Sequence, residues 1–135
     1  MTKKIEMTVK YAADSKIIQT SIGDFTVLAD GGDRVEPSPG SLFVAGLVAC
    51  TASTARGYCN RHGLPFPEGM KVSASFDEET GFIESIDGEL LVPPDFPPEY
   101  LDALMRAAGA CTVKKWWQNP PVFNTTAAIR EEITV

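Results

Sequence analysis

The stretch at residues 38–64 holds the densest run of apolar positions in the chain, and it predicts one long helix. Ser38 can cap the first turn, and Pro39 suits the first helical position, where a missing N–H costs nothing. Gly63 suits the left-handed residue that follows a helix end. Because residues 42–50 are apolar on all sides, we expect this helix to run through the interior of the protein.

Shorter segments with alternating or amphipathic patterns lie on both sides of the long helix. The predicted strands cover residues 3–11, 16–21, 25–29, 70–77, 82–92 and 122–135, with a bulge in the fifth near Asp87-Gly88. Two further helices are predicted over residues 99–108 and 111–118. Runs of strands separated by helices favour an α+β fold over a parallel doubly wound sheet.

A helix that is apolar on every side is hard for a chain of 135 residues to cover alone. Its small residues, at steps of four, three and four, form a seam where another backbone can approach closely: Gly46, Cys50, Ser53 and Gly57. We therefore expect a single domain over residues 1–135 that forms an intertwined homodimer.

The charge and composition of the chain argue against some classes of binding partner. The net charge of −6 and the pI near 4.7 argue against nucleic acid or an anionic membrane. No signal-peptide pattern precedes the first predicted strand, and the apolar run at 42–50 is too short to span a bilayer. We expect a cytoplasmic protein, in which the three cysteines are not expected to form a structural disulfide framework.

The sequence lacks the residues that several kinds of chemistry need. The chain has one histidine, His62, and no CxxC pair, so neither a zinc site nor another metal site is expected. A phosphate loop and a dinucleotide fingerprint are both missing from the sequence, and no cofactor is expected. His62 itself is predicted to be a solvated residue at the helix end.

The cysteines are the remaining candidates for chemistry. By residue type alone, Cys50 and Cys59 are typical of small buried core residues. Cys111 differs, because it opens a short predicted helix whose first amides can lower its thiol pKa. Cys50 lies about three turns into its helix and would need a cation if it reacts. The available cations are Arg34, Lys16 and Arg56.

Aromatic residues near the cysteines suggest a pocket wall or a dimer contact. Residues 114–117, KKWW, combine two basic residues with two tryptophans, but the acidic chain makes a nucleic-acid contact the weaker interpretation. Phe43, beside the cysteine seam, allows the same two interpretations.

Four segments resemble motifs of the OsmC/Ohr family (osmotically inducible protein C and organic hydroperoxide resistance protein). Residues 39–50, PGSLFVAGLVAC, resemble the family pattern P-x-x-L-x-x-A-x-x-x-x-C. Residues 58–65, YCNRHGLP, are similar to the helix end of the OsmC-like branch. Residues 110–113, ACTV, resemble the second-cysteine motif, and residues 119–122, NPPV, resemble the run into the last strand.

This resemblance implies an OsmC-like α+β fold, with antiparallel sheets around a long buried central helix, in an intertwined homodimer. It implies a thiol-dependent peroxidase that reduces organic hydroperoxides. Cys50 would become a sulfenic acid and then form a disulfide with Cys111, which an external dithiol would reduce. Phe43 and Trp116, or its neighbour Trp117, would contribute to an apolar substrate pocket.

The chain also departs from the family pattern. Gly40 stands where the peroxidase branches have a glutamate that orients a catalytic arginine, and Thr112 replaces the usual proline after the second cysteine. Arg34, with Glu36, is the candidate substitute for the missing pair. These departures leave two alternatives to a peroxidase, a diverged small-molecule-binding protein and a redox sensor.

Overall fold

The structure is a computed structural model that describes residues 2–32 and 34–129 of the chain. Its strands are β1 (Met7–Tyr11), β2 (Ile17–Ile22), β3 (Phe25–Asp30), β4 (Gly69–Phe76) and β5 (Ile83–Leu91). Its helices are α1 (Pro39–His62), α2 (Leu101–Ala108) and α3 (Thr112–Gln118), and a 3₁₀ turn at Pro98–Tyr100 precedes α2. This is the predicted α+β fold with antiparallel strands and a long helix.

The described residues form two compact units. The first contains the residues before Val44 and those after Val122, and the second spans Val44–Val122. In the first unit, β1, β2 and β3 form the predicted antiparallel meander. Gly23 makes the turn between β2 and β3 at a φ of 57°, in the left-handed region that glycine adopts without steric cost.

Helix α1 begins and ends where the sequence predicts. The Ser38 hydroxyl accepts the amide hydrogen of Ser41 at 3.1 Å and caps the first turn. At the other end, Gly63 has a φ of 63°, and the amide of Leu64 donates to the carbonyl of Cys59 at 2.9 Å. This is the hydrogen bond of a Schellman motif, which satisfies a carbonyl that the ending helix would leave unpaired.

In the second unit, β4 and β5 form an antiparallel hairpin beside the small helices. Its register shifts between Ser75 and Phe76, so the bulge predicted near Asp87-Gly88 is wrong. Gly88 pairs regularly with Val72, and a Cβ there would collide with the end of the Met70 side chain. This glycine makes room for a neighbouring side chain, a packing role that sequence alone does not separate from a bulge.

The core of the second unit lies between α1 and α2. Its buried residues are Ala55, Cys59, Phe96, Leu104 and Ala108. Within α1, all of whose residues the structure describes, burial is confined to Val44, Ala55 and Cys59. The expectation that the apolar first half of α1 is interior on every side is therefore not met within one chain.

The predicted last strand, residues 122–135, is not formed in its described part. Residues 122–129 have no regular secondary structure, and residues 130–135 lie outside the described chain. Val122 and Phe123 are 84% and 85% exposed. An apolar alternating segment becomes a strand only when a neighbouring strand takes its backbone hydrogen bonds, and the pattern does not reveal that neighbour.

Candidate functional site

Two of the three cysteines come together where α1 meets the start of α3. Cys50 lies on α1, and Cys111 is the residue that caps the N-terminus of α3. The side chain of Cys50 lies close enough to Cys111 to help lower the pKa of its thiol. Both are reduced thiols; Cys50 is half-buried, whereas Cys111 is 1% exposed. The structure thus brings together two residues that are 61 positions apart in the chain.

Two hydrogen-bonding groups lie beside the Cys111 sulfur. The backbone amide of Lys114 donates to it at 3.4 Å, as expected for a capping residue at a helix start. The Thr51 hydroxyl lies 3.5 Å from the same sulfur, and it also lies 3.1 Å from the carbonyl of Leu47. Thr51 is therefore placed between the backbone of α1 and the thiol of Cys111.

These contacts change the pKa of the Cys111 thiol. Burial alone would raise its pKa, but the hydrogen bonds from Thr51, the Lys114 amide and Cys50, together with the Lys114 charge, outweigh burial. The net pKa of Cys111 is lower than that of an ordinary thiol. This agrees with the expectation that the first amides of a short helix favour a thiolate at this position.

An apolar cleft of about 410 Å³ lies beside these donors in the second unit. Thr51 and Lys114 belong both to the surroundings of the Cys111 sulfur and to the wall of this cleft. Neither cysteine lines the cleft itself, whose wall also includes the apolar side chains of Leu47, Met70, Ile83, Ile86 and Trp117 and the polar ones of Glu84, Ser85 and Gln118. A cleft of this size and lining suits a small ligand with an apolar body.

The other sequence-predicted site residues lie elsewhere. Trp117, rather than Trp116, lines the cleft, and Trp116 is 58% exposed. Phe43 and Arg34 belong to the first unit, so their predicted roles at Cys50 remain predictions. Arg34 stands out in its loop, because its φ of 59° is uncommon for a residue with a side chain.

The loop around Arg34 is organised by a buried carboxylate. Asp30, 3% exposed, accepts amide hydrogens from Gly32 at 2.8 Å and from Val35 at 2.7 Å. Arg34 and Glu36, the predicted substitute pair, line the same polar groove of the first unit, near the start of α1.

Sequence reasoning missed Thr51 and assigned Lys114 a different role. Thr51 directly follows Cys50, but nothing in the sequence indicates that its hydroxyl reaches Cys111. The sequence pattern groups Lys114 with the tryptophans, although it stands three residues after a predicted helix start. That spacing is the signal for an amide that bonds to a capping side chain.

Cys59 and His62 have the structural roles that the sequence favours. Cys59 is fully buried in the core, and burial raises the pKa of its thiol. His62 is exposed in the last turn of α1, with its ring 4.2 Å from that of Tyr58. Among the residues that the structure describes, no cluster of three or more potential metal ligands occurs.

Comparisons with known proteins identify the family. The family model described as "OsmC-like protein" matches residues 30–126 of the chain. No curated protein matches the chain with significant similarity. The chain therefore belongs to the OsmC-like protein family, on a match that covers the long helix and both paired cysteines.

Solved structures agree with this assignment at the level of the fold. An OsmC-like protein from Mycoplasma pneumoniae is 15% identical, with a TM-score of 0.73 over 89% of this chain and 91% of its own. The organic hydroperoxide resistance protein OhrB of Bacillus subtilis is 19% identical, with a TM-score of 0.55 over 87% and 93%. A hydroperoxide resistance protein OsmC from Legionella pneumophila is 18% identical, with a TM-score of 0.54 over 85% and 89%.

The fold assignment also bears on α1, which is long and apolar enough to cross a membrane. Its most apolar 18-residue window has a mean hydropathy of 1.2. The whole helix, Pro39–His62, falls inside the region that matches the OsmC-like family. We therefore assign α1 as the central helix of this fold.

Proposed function

We propose that the protein is a thiol-dependent peroxidase that reduces organic hydroperoxides, with Cys50 and Cys111 as its catalytic residues. The observation that carries this proposal is the approach of the two cysteines beside an apolar cleft, where the hydroxyl of Thr51, the residue after Cys50, lies 3.5 Å from the Cys111 sulfur. A sulfenic acid formed on one sulfur then has the second sulfur within reach, so a disulfide forms without a large movement.

The reaction begins with attack of the Cys50 thiolate on the peroxide. Cys50 reacts as a thiolate, and the proton that its thiol gives up is the one that the leaving group takes, while Cys111 keeps its own proton until the next step. Cys50 attacks the terminal peroxide oxygen, the O–O bond breaks, and the alkoxide takes the proton and leaves as an alcohol. Cys111 then attacks the sulfenic acid, forming the disulfide and releasing water. An external dithiol returns both cysteines to thiols.

The cleft favours peroxides with an apolar organic group. Its wall contains the side chains of Leu47, Ile83 and Trp117, which exclude water from a bound alkyl or aryl substituent. Phe43 and Trp116 are the two residues predicted to bind substrate. In this proposal Trp117 replaces Trp116 in the wall of the substrate pocket, and Phe43 is still proposed to contribute to it. Arg34 remains the proposed cation that stabilises the Cys50 thiolate.

A homodimer is part of the proposal, because single-chain burial leaves much apolar surface uncovered. On β1, Met7, Val9 and Tyr11 occupy alternate positions and are 55%, 48% and 78% exposed. On α1, Phe43 is 51% exposed. Apolar surface of this extent on a folded chain is typical of an interface. Sedimentation velocity on the purified protein should give one species of twice the chain mass.

The test of the peroxidase is intact-mass analysis of the reduced protein after one equivalent of an aromatic or fatty-acid hydroperoxide, followed by peptide mapping. We expect rapid formation of a Cys50–Cys111 disulfide in the wild type and none in Cys50→Ser. Cys59→Ser is the matched control, and it should react as the wild type does. Slow oxidation scattered over all three cysteines would contradict the proposal.

A second candidate function is the binding of a small apolar molecule without turnover. Gly40 at the position of the family glutamate favours it, since the glycine cannot orient an arginine. The same cleft would then hold a ligand, and Cys50→Ser would leave its affinity unchanged. A redox sensor, the third alternative, would form the disulfide but would not consume peroxide repeatedly when a dithiol is supplied.

A further inference from the structure

The environments of the two paired sulfurs differ in a way that bears on how a disulfide between them would be reduced. The Lys114 amide donates to the Cys111 sulfur at 3.4 Å, the Thr51 hydroxyl lies 3.5 Å from it, and Cys111 is 1% exposed. Cys50, by contrast, is half-buried. One sulfur is therefore surrounded by hydrogen-bond donors, and the other is the more accessible from outside.

We propose that reduction of the Cys50–Cys111 disulfide has a fixed direction: the incoming thiol attacks Cys50, and Cys111 departs as a thiolate held by Thr51 and Lys114. Thr51 and Lys114 are positioning residues in this step. The inference rests on the disulfide of the proposed function, but it concerns the recycling half of the cycle, which can be studied without a peroxide.

The step balances as an ordinary thiol–disulfide exchange. A thiolate of the external dithiol forms a bond to the Cys50 sulfur, the bond between the two protein sulfurs breaks, and its electron pair leaves with Cys111. The second thiol of the reductant then displaces Cys50, which takes a proton. Two electrons pass from the dithiol to the protein, and the dithiol becomes a disulfide.

Leaving-group chemistry supports this direction. In thiol–disulfide exchange, the sulfur whose thiolate is more stable leaves faster, and the sulfur that is attacked must be accessible. Hydrogen bonds to an ionised group are stronger than those to a neutral one, so the donors around Cys111 act most strongly on its thiolate. Both conditions assign attack to Cys50 and departure to Cys111.

The same donors affect the position of the redox equilibrium. A disulfide whose reduced form is stabilised is a stronger oxidant, because reduction releases a favourable thiolate. Thr51 contributes a hydroxyl, and Lys114 contributes both an amide and a side-chain charge. Removing the hydroxyl or the charge should therefore favour the disulfide over the two thiols.

The first experiment measures this equilibrium on the full chain. Reduced protein is oxidised with diamide, and the fraction of disulfide is then followed in glutathione buffers of increasing reducing strength. We expect Thr51→Val and Lys114→Met each to shift the equilibrium constant toward the disulfide by about threefold to tenfold. Thr51→Ser keeps the hydroxyl and should restore the wild-type value.

Matched controls lie next to the positioning residues. Thr54 bonds to the Cys50 carbonyl at 2.8 Å from the same helix, and Lys115 is the exposed neighbour of Lys114. Thr54→Val and Lys115→Met should keep the wild-type equilibrium. Equal shifts in the test and control variants, or no shift in Thr51→Val and Lys114→Met, would overturn the inference.

The second experiment locates the attacked sulfur. Diamide-oxidised protein is mixed with excess glutathione, quenched in acid within the first turnover, and mapped by peptide mass analysis. The glutathione adduct should lie on Cys50, and an adduct on Cys111 would refute the proposed direction. Failure of diamide to join Cys50 to Cys111 would also refute it. If the protein reacts slowly with hydroperoxide but shows these equilibrium shifts and the adduct on Cys50, the proposed peroxidase activity is wrong. The proposed direction of disulfide reduction is then still supported.

Discussion

Cys111 and Cys59 are both buried thiols, but their pKa values move in opposite directions. Around Cys59, burial in the core raises the pKa of the thiol. Around Cys111, the donors at the start of α3 and on α1 outweigh burial and lower the pKa. Two thiols of similar exposure therefore differ in chemistry because of the hydrogen-bond donors within reach of each sulfur.

This contrast predicts how the stability of the reduced protein depends on pH. The folded pKa of Cys111 is below its unfolded value, so the unfolded chain binds more protons between the two values, and stability rises with pH in that window. Below the folded pKa this contribution is lost. We expect the free energy of unfolding of the wild type, relative to Cys111→Ser, to increase with pH up to the ordinary thiol value and then level off.

Urea denaturation at a series of pH values, with reductant present, measures this difference. Cys59 titrates in both proteins, so the destabilisation that its raised pKa causes at higher pH cancels in the comparison. A difference that stays flat or falls with pH would contradict the prediction.

Cys59 is predicted to matter for stability and not for reactivity. Its side chain is fully buried in the cluster with Phe96 and Leu104. Cys59→Ala should lower the free energy of unfolding by about 1–2 kcal/mol, since it leaves a small cavity. Urea denaturation tests the first part of this prediction. A diamide assay tests reactivity, and the variant should still form the Cys50–Cys111 disulfide.

The reactive pair was predictable from sequence only in part. The position of Cys111 at the start of a helix depends on local pattern, and the structure has it there. The contact of Thr51 with Cys111 spans sixty residues and depends on how α3 lies against α1. No local rule relates a threonine in one helix to a sulfur at the start of another.

At the scale of elements, the ends of α1 follow from its own sequence. The Ser38 cap and the left-handed Gly63 lie where the sequence predicts them, because each acts on backbone groups within four or five residues. The final strand was mispredicted over 122–129 for the opposite reason. A strand requires a partner from a distant part of the chain or from another chain.

The end of α1 gives a prediction about conformation. Gly63→Ala should lower the free energy of unfolding by about 1 kcal/mol, because alanine is disfavoured at a positive φ. Gly69→Ala is the control, since Gly69 has no positive φ and a Cβ there meets nothing within 4 Å. Urea denaturation of both variants should show the larger loss for Gly63→Ala, and equal losses would mean that the helix end tolerates a side chain.

For the whole molecule, the open question for experiment is what covers the apolar face of α1. One chain buries Val44, Ala55 and Cys59 on this helix. The single domain over residues 1–135 also remains a prediction, while the described residues form two compact units. The sequence indicated an apolar helix that needs cover, but the hydrophobic pattern is the same whether that cover comes from the same chain or from a second copy.

The substitution Gly46→Ala tests whether a second copy of the chain covers the apolar face of α1. In one chain, a Cβ at Gly46 meets nothing within 4 Å, so the substitution should stabilise an isolated helix by about 1 kcal/mol. If the seam of small residues faces a second copy, the added methyl group prevents close approach. We expect the variant to raise the dimer dissociation constant, measured by sedimentation equilibrium, and a more stable protein with unchanged dissociation would contradict a dimer through this seam.

The Thr51 hydroxyl has one hydrogen but two acceptors near it, the Leu47 carbonyl at 3.1 Å and the Cys111 sulfur at 3.5 Å. When Cys111 carries its proton, the hydroxyl can donate to the carbonyl and accept from the thiol. When Cys111 is ionised, the hydrogen has to rotate toward the sulfur, and the carbonyl loses that bond. The orientation of the Thr51 hydroxyl therefore depends on whether Cys111 is ionised. We expect the methyl NMR signal of Thr51 to shift with pH as Cys111 titrates.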